Sequence, residues 1–233
     1  MKKKLVKRLH DDFYMNENRY EEPKEIFKIL LKELNKKNFK TLMDVGCANG
    51  ELLYYLDQKL PNVSFTGIDL LQNLLDKAKK FCSDDINFLK KDISKKNLKV
   101  GKFDRIILSG VLSIFDDPEM IINNLLTNLN KNGKLYIFGA FNPNPYNVLV
   151  KYEDVNKDKN IYQSGWNIFS LDTIRKIAKK NNKKMKTIEF KMPFDIKKRK
   201  NDLIRTWTIN LEGKRLWTNG LGIIYHGYWL EIS

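Results

Sequence analysis

Along most of this chain, short unbroken apolar runs alternate with stretches in which apolar residues recur every third or fourth position. The first pattern marks strands buried on both faces, and the second marks amphipathic helices. "EPKEIFKILLKEL", residues 22–34, predicts a helix with a proline near its start. "KTLMDV" (40–45) predicts a buried strand, "GELLYYLDQKL" (50–60) a helix stopped by Pro61, and "VSFTGIDL" (63–70) a second strand. A helix over 70–81 and strands over 86–93 and 102–112 follow. The next helix, 117–133, has Asp117 as N-cap, Pro118 in its first turn and Gly133 past its end, and leads into strand 134–141. This alternation predicts a parallel sheet covered by helices on both faces.

After Phe141 the rhythm changes. Residues 142–169 are polar and aromatic with no helical periodicity, which suggests a lid or binding loop. A helix over 170–182, a strand over 186–192, a basic segment over 195–220 and a strand over 222–232 complete the chain. The last two strands are expected to pair antiparallel at one edge of the sheet.

Turn chemistry directs attention to "DVGCANG". Gly46 and Gly50 bracket the small or polar residues Cys47, Ala48 and Asn49 directly after a buried strand, as expected where the backbone turns sharply and a ligand approaches it closely. Packing alone could demand the same glycines. About twenty residues on, Asp69 ends the second strand, where a carboxylate can accept hydrogen bonds from both hydroxyls of a ribose. Asp92 in "KKDI" ends the third strand, and Ser109 and Gly110 in "LSGVLSIF" end the fourth. All of these lie at the carboxyl ends of strands, the edge at which open α/β sheets bind ligands. A dinucleotide would need a G-x-G-x-x-G spacing that Gly46 and Gly50 do not provide.

In order and spacing, "DVGCANG", "GIDL", "KKDI" and "FDRIILSGVLSIFDDPEMIINNLLTNLNKNGKLYIFG" resemble the motifs of the class I S-adenosylmethionine-dependent methyltransferases, over residues from about 40 to 141. Ala48 replaces a glycine common in that family, and Ser113 stands where many relatives have histidine. The resemblance implies a doubly wound, Rossmann-like α/β fold with a mixed seven-stranded sheet and an antiparallel edge hairpin. It also implies one domain over 1–233, with residues 1–38 as a helical cap and 142–169 as a substrate-side insertion. Carried over by position, it places Asp44 and the Gly46–Gly50 loop at the methionyl part and ribose of the cofactor. Asp69 falls at the ribose hydroxyls, and Leu70 falls on the adenine. Asp92 takes the adenine amine, flanked by Lys91 and with the Ile93 amide at a ring nitrogen, while Ser109, Gly110 and Val111 lie nearest the sulfonium.

On the acceptor side, His226 is the candidate general base, with His10 and Tyr14 as further candidates from the N-terminal segment. Tyr20, Phe115, Asp116, Tyr146 and Trp166 are candidate substrate contacts, with Tyr162 also in the insertion. Arg199, Arg205 and Arg215 are available to a phosphate or carboxylate. "NPNPY" (142–146) has the composition of an amine-receiving element of DNA methyltransferases, but it follows strand five rather than strand four and reads as the start of a loop.

Composition narrows the remaining choices. A formal charge of +15 could mark a polyanion partner, but the lysines are scattered among asparagines rather than gathered into one tract, as on a solvated basic surface. The N-terminus begins with lysines, yet His10, Asp11 and Asp12 interrupt it before an apolar signal core can form. No apolar run suffices to span a bilayer, and Cys47 and Cys82 offer no disulfide framework. The expectation is a cytoplasmic enzyme without a metal, methylating an oxygen or nitrogen of a small metabolite, with anionic and sugar-linked compounds as the candidates. The competing reading is an RNA-directed methyltransferase, or a catalytically silent nucleic-acid-binding protein, that uses the basic face.

Overall fold

The computed structural model describes residues 4–7, 11–16, 18–156 and 161–233, the side chains of Lys4, Asp11 and Asp12 excepted. In chain order the elements are β1 (Lys4–Lys7), α1 (Asp11–Asn16), α2 (Glu25–Leu34), β2 (Thr41–Val45), α3 (Glu51–Asp57), β3 (Ser64–Asp69), α4 (Gln72–Phe81) and β4 (Asn87–Lys90). There follow β5 (Phe103–Ser109), α5 (Pro118–Leu126), β6 (Leu129–Asn142), β7 (Lys151–Tyr152), β8 (Ile161–Ser164), β9 (Phe169–Ser170) and α6 (Leu171–Lys180). The last four are β10 (Met185–Phe190), β11 (Trp207–Leu211), β12 (Lys214–Thr218) and β13 (Ile224–Ile232).

The expected α/β sheet is present. β4, β3, β2, β5 and β6 run parallel in that spatial order, β13 pairs antiparallel with β6, and β10 pairs antiparallel with β13. The chain winds outward from β2 to β4 and then crosses to β5, so β2 and β5 flank the point where the winding reverses. Period-two alternation splits the core. Leu42, Ile107, Tyr136 and Trp229 pack with α2, α3 and α4, whereas Met43, Ile106, Leu135 and Leu230 pack with α5 and α6. On α2 the apolar stripe of Phe27, Leu30 and Leu34 is buried, which stabilises by about 1.5 to 3 kcal/mol per side chain. Asp117 caps α5, its Oδ1 accepting from the amides of Glu119 (3.0 Å) and Met120 (3.1 Å), with Pro118 in the first turn.

Several expectations are corrected. α5 ends at Leu126, so Gly133 does not cap it; Gly133 lies inside β6, where a Cβ would stand 2.9 Å from the Phe103 carbonyl oxygen. The last two of the expected strands do pair antiparallel, with β10 at the sheet margin and β13 held between β6 on one side and β10 and β12 on the other. The basic segment contains the β11–β12 hairpin, which extends the sheet beyond the seven expected strands. The N-terminal cap is not wholly helical, since β1 pairs parallel with β8 of the insertion and β7 completes a separate three-stranded sheet. Cys47 and Cys82 are buried free thiols. Among the described residues no helix is long and apolar enough to cross a membrane.

Candidate functional site

At the carboxyl ends of β2 and β5 the chain forms a cavity of about 990 Å³. Its floor is the loop after β2. Gly46 (φ +70°), Ala48 (φ +49°) and Gly50 (φ +81°) all take left-handed conformations, so the loop coils tightly before α3. Glycine is needed at two of these positions for space as well as for angle. A Cβ at Gly46 would lie 2.5 Å from Val111 Cγ2, and one at Gly50 would lie 2.9 Å from Cys82 Sγ. Gly110 (φ +74°), also in the cavity wall, faces open space, since a Cβ there would meet nothing within 4 Å.

Asp69 holds the loops on either side of it. Its Oδ2 accepts from the Ala48 amide and its Oδ1 from the Leu71 amide, both at 2.9 Å. Asp44, 3% exposed, lies in the cavity wall. Burial, reinforced by the negative charge of Asp69 and opposed by Lys24, pushes its carboxyl up to about 7. Burial also pushes the Cys47 thiol well above its ordinary range, which removes it as a thiolate nucleophile.

Of the expected site residues, the cavity brings together Tyr14, Asp44, Gly46, Cys47, Ala48, Asn49, Ser109, Gly110 and Trp166. Gly50 and Val111 pack beneath the loop, and Asp69 braces it. Leu70, half-exposed, and Lys91, Asp92 and Ile93 lie beyond the cavity at the ends of β3 and β4. Asp92 turns its own chain, its Oδ1 accepting from the Ser94 amide (2.9 Å) and the Ser94 hydroxyl (2.6 Å). Its Oδ2 has no such role.

On the acceptor side the expectations fare less well. His226 does not line the cavity. It pairs with Phe141 in the β13–β6 register, and strand alternation turns it away from Tyr225 and Gly227 toward the α5 and α6 face. Tyr20 is buried, its hydroxyl donating to the Asn49 carbonyl (2.6 Å) and its ring stacked on Phe81, so it supports the loop from below. Phe115 and Asp116 are held by Asn167, whose Nδ2 donates to the Phe115 carbonyl and to Asp116 Oδ1, each at 2.9 Å. Tyr146 is 70% exposed and stands outside the cavity. His10 falls outside the described residues.

Other residues take those places. Lys24, the N-cap of α2, reaches Glu51 Oε2 at 2.8 Å, and Glu51 Oε1 accepts from Asn49 Nδ2 at 3.2 Å. Asn49 Nδ2 also donates to the Tyr14 carbonyl (3.2 Å), as does Lys77 Nζ (2.8 Å), which ties α1 over the cavity. The Arg205 guanidinium lies 3.4 Å from the centroid of the Phe13 ring, so the segment before β11 meets α1 across the mouth. Phe138, Phe190 and Trp217 form an aromatic wall with centroid spacings of 5.5 to 6.0 Å. The position of Glu51, next to Gly50 and in the first turn of a helix, was a readable signal. Nothing local marked Trp217, because β12 pairs with its chain neighbours β11 and β13 and reaches the site through the long-range pairing of β13 with β6.

These residues suit an adenosine-bearing sulfonium cofactor. A carboxylate at the end of β3, a buried carboxyl beside the loop and open space over Gly110 present acceptors and room at one strand edge. Among the described residues no group of side chains could hold a metal ion.

A family profile described as a methyltransferase domain matches residues 43–135. The malonyl-[acyl-carrier protein] O-methyltransferase of Acetivibrio thermocellus is 28% identical over 44% of this chain and 36% of its own length. The tRNA U34 carboxymethyltransferase of Sulfurimonas denitrificans is 27% identical over 48% of this chain and 38% of its own. The chain thus spans well under half the length of either relative. In fold, the chain is similar to the magnesium protoporphyrin IX methyltransferase of Synechocystis, solved with bound S-adenosylmethionine (TM-score 0.52, 16% identity, 89% of this chain and 75% of that one).

Proposed function

We propose that this chain, a class I S-adenosylmethionine-dependent methyltransferase by its domain match, fold and motifs, methylates an oxygen or nitrogen of a small acceptor held in the cavity beneath α1. The observation that supports this is the cavity itself. It joins the loop after β2 and the open face of Gly110 to an aromatic wall contributed by β6, β10 and β12.

Bound here, S-adenosylmethionine would supply an already activated methyl group: the acceptor lone pair would form the new bond to carbon as the sulfur–carbon bond pair returns to sulfur, and the acceptor's proton would pass to solvent. The residues here bind and align. Asp69 accepts from the ribose hydroxyls, and Asp44 accepts from the ammonium of the methionyl part. Ser109 and Gly110 border the transferring group, and the Asp92 Oδ2 remains for the adenine amine. Orientation of this kind is worth about 7 to 11 kcal/mol in favourable cases. Arg205 over the Phe13 ring brings the segment before β11 onto α1 at the mouth, where the two would narrow the access of water to the aligned pair.

Calorimetric titration with S-adenosylmethionine, S-adenosylhomocysteine and NAD tests the cofactor half. Micromolar binding of the first two without the third is expected. Failure of both to bind the folded, ligand-free chain would overturn it.

A further inference from the structure

Beside the main cavity, and sharing Gly110, Ser113, Phe138 and Trp217 with it, lies a side chamber of about 140 Å³. Its walls are aromatic. The Trp217 ring lies 6.0 Å from that of Phe138 and 5.9 Å from that of Tyr225. Room for the indole is made by Gly227 on β13, where a Cβ would fall 2.3 Å from Trp217. Among the described residues no Lys, Arg, Asp or Glu lines the chamber, and the phenol of Tyr225 there stays protonated, since burial pushes it up to about 12. The Tyr225 hydroxyl is already engaged with Thr206.

One polar group in the wall is not satisfied. Asn219 is 2% exposed, its Oδ1 accepts from the Leu221 amide at 3.0 Å, and that bond fixes which way the side-chain amide points. Its Nδ2 is buried with no hydrogen-bond partner. A buried donor left unpaired costs about 1 to 3 kcal/mol, so this amide calls for a partner in the chamber, an ordered water or a ligand. The size is also informative, because an apolar cavity of about 150 Å³ accommodates one benzene ring.

We propose that this chamber receives the reacting end of the acceptor, an uncharged six-membered ring bearing a hydroxyl, with the ring against Trp217 and Phe138 and a ring oxygen accepting from Asn219 Nδ2. The assignment rests on the methyltransferase reading of the adjoining loops and adds the acceptor class to it. Two kinds of compound share this chemistry: a phenol offers the indole a flat π face and a pyranoside an apolar C–H face, and each offers the amide an oxygen. An open-chain alcohol fills the walls poorly. A ring carboxylate would enter unpaired, at a cost no side chain there offsets.

The test is ligand-observed saturation-transfer NMR on the full chain in the presence of S-adenosylhomocysteine. Phenol, methyl β-D-glucopyranoside, toluene, 1-hexanol and benzoate are the probes, and binding of S-adenosylhomocysteine is titrated in the same samples. Phenol or the pyranoside should bind, which also tells the two ring types apart, and hexanol and benzoate should not. Asn219→Leu should weaken the hydroxylated ring about tenfold while leaving toluene unchanged or tighter. Ile223→Trp, which fills the chamber, should abolish both and leave S-adenosylhomocysteine binding intact. Absence of ring binding in a sample that binds S-adenosylhomocysteine would overturn the proposal and spare the methyltransferase reading. Equal binding of hexanol or benzoate would overturn it as well. Ring binding without S-adenosylhomocysteine binding would support the chamber and remove the enzymatic reading on which its role depends.

Discussion

The Ala48 amide donates to the Asp69 carboxylate over 2.9 Å, tying the loop after the first strand of the parallel sheet to the end of its neighbour. The side chain expected to hold a ribose therefore also sets the shape of the loop beneath it. Asp69→Ala should lower affinity for S-adenosylhomocysteine at least tenfold in a calorimetric titration, from the loss of charge-assisted bonds worth about 1.5 to 3 kcal/mol. Because two loop amides lose their acceptor, the ligand-free protein should also melt lower. Unchanged affinity in a folded variant would remove Asp69 from the site.

Asp44 makes stability depend on pH in an unusual direction. Burial raises its carboxyl to about 7, so in the folded state it keeps a proton that the unfolded chain loses near pH 4. Its contribution is therefore greatest below pH 4, declines as pH rises through that window by up to about 1.4 kcal/mol per unit, and levels off above 7. Asp44→Asn should flatten this slope in denaturant melts and stabilise the ligand-free protein at pH 8, while weakening cofactor binding. An identical slope in both proteins would show that another group carries it.

Asn167 fastens the insertion to the loop after β5. Its Oδ1 accepts from the Val150 amide (2.8 Å) and its Nδ2 serves the Phe115 carbonyl and Asp116, all from a buried position. Asn167→Ala should cost about 2 to 4 kcal/mol and leave a buried amide unpaired. Trypsin should then cut at Lys151 faster than in the parent protein. Equal cleavage rates would mean that other contacts hold the insertion.

Gly46 meets two separate demands, and a mutant cycle separates them. Gly46→Ala should destabilise by about 1 to 3 kcal/mol through its left-handed angle and its clash with Val111. Adding Val111→Ala should recover the steric part and leave about 1 kcal/mol of backbone cost. Full recovery would show that the angle contributes nothing.

The parallel half of the sheet was legible because each of its strands and helices carries its own period, and because the glycine loop, Asp69 and Asp92 sit at fixed strand ends. Even there, the structure adds a second demand on the glycines, since a Cβ at Gly46 or Gly50 would also collide with Val111 or Cys82. The acceptor side was harder to read. His226 looked available because it is one of two histidines, yet which face of β13 it occupies depends on a register with Phe141 set some 85 residues away. Tyr20 and Phe190 are both aromatic residues flanked by charge; tertiary packing alone makes one a prop and the other a wall. The β11–β12 hairpin was hidden because its short strands lie in a basic stretch and are largely solvent-facing, with only Trp217 and Thr218 buried.

Gly227, by giving Trp217 its place, connects the hairpin to a strand that itself pairs with β6. The two halves of the site are thus encoded in separate stretches of the gene, the cofactor loops between residues 44 and 111 and most of the chamber between 166 and 225. Such a division permits inheritance of one half while the other drifts. On the function proposed above, replacing the hairpin would reshape the chamber and leave the loops after β2 and β3 as they are.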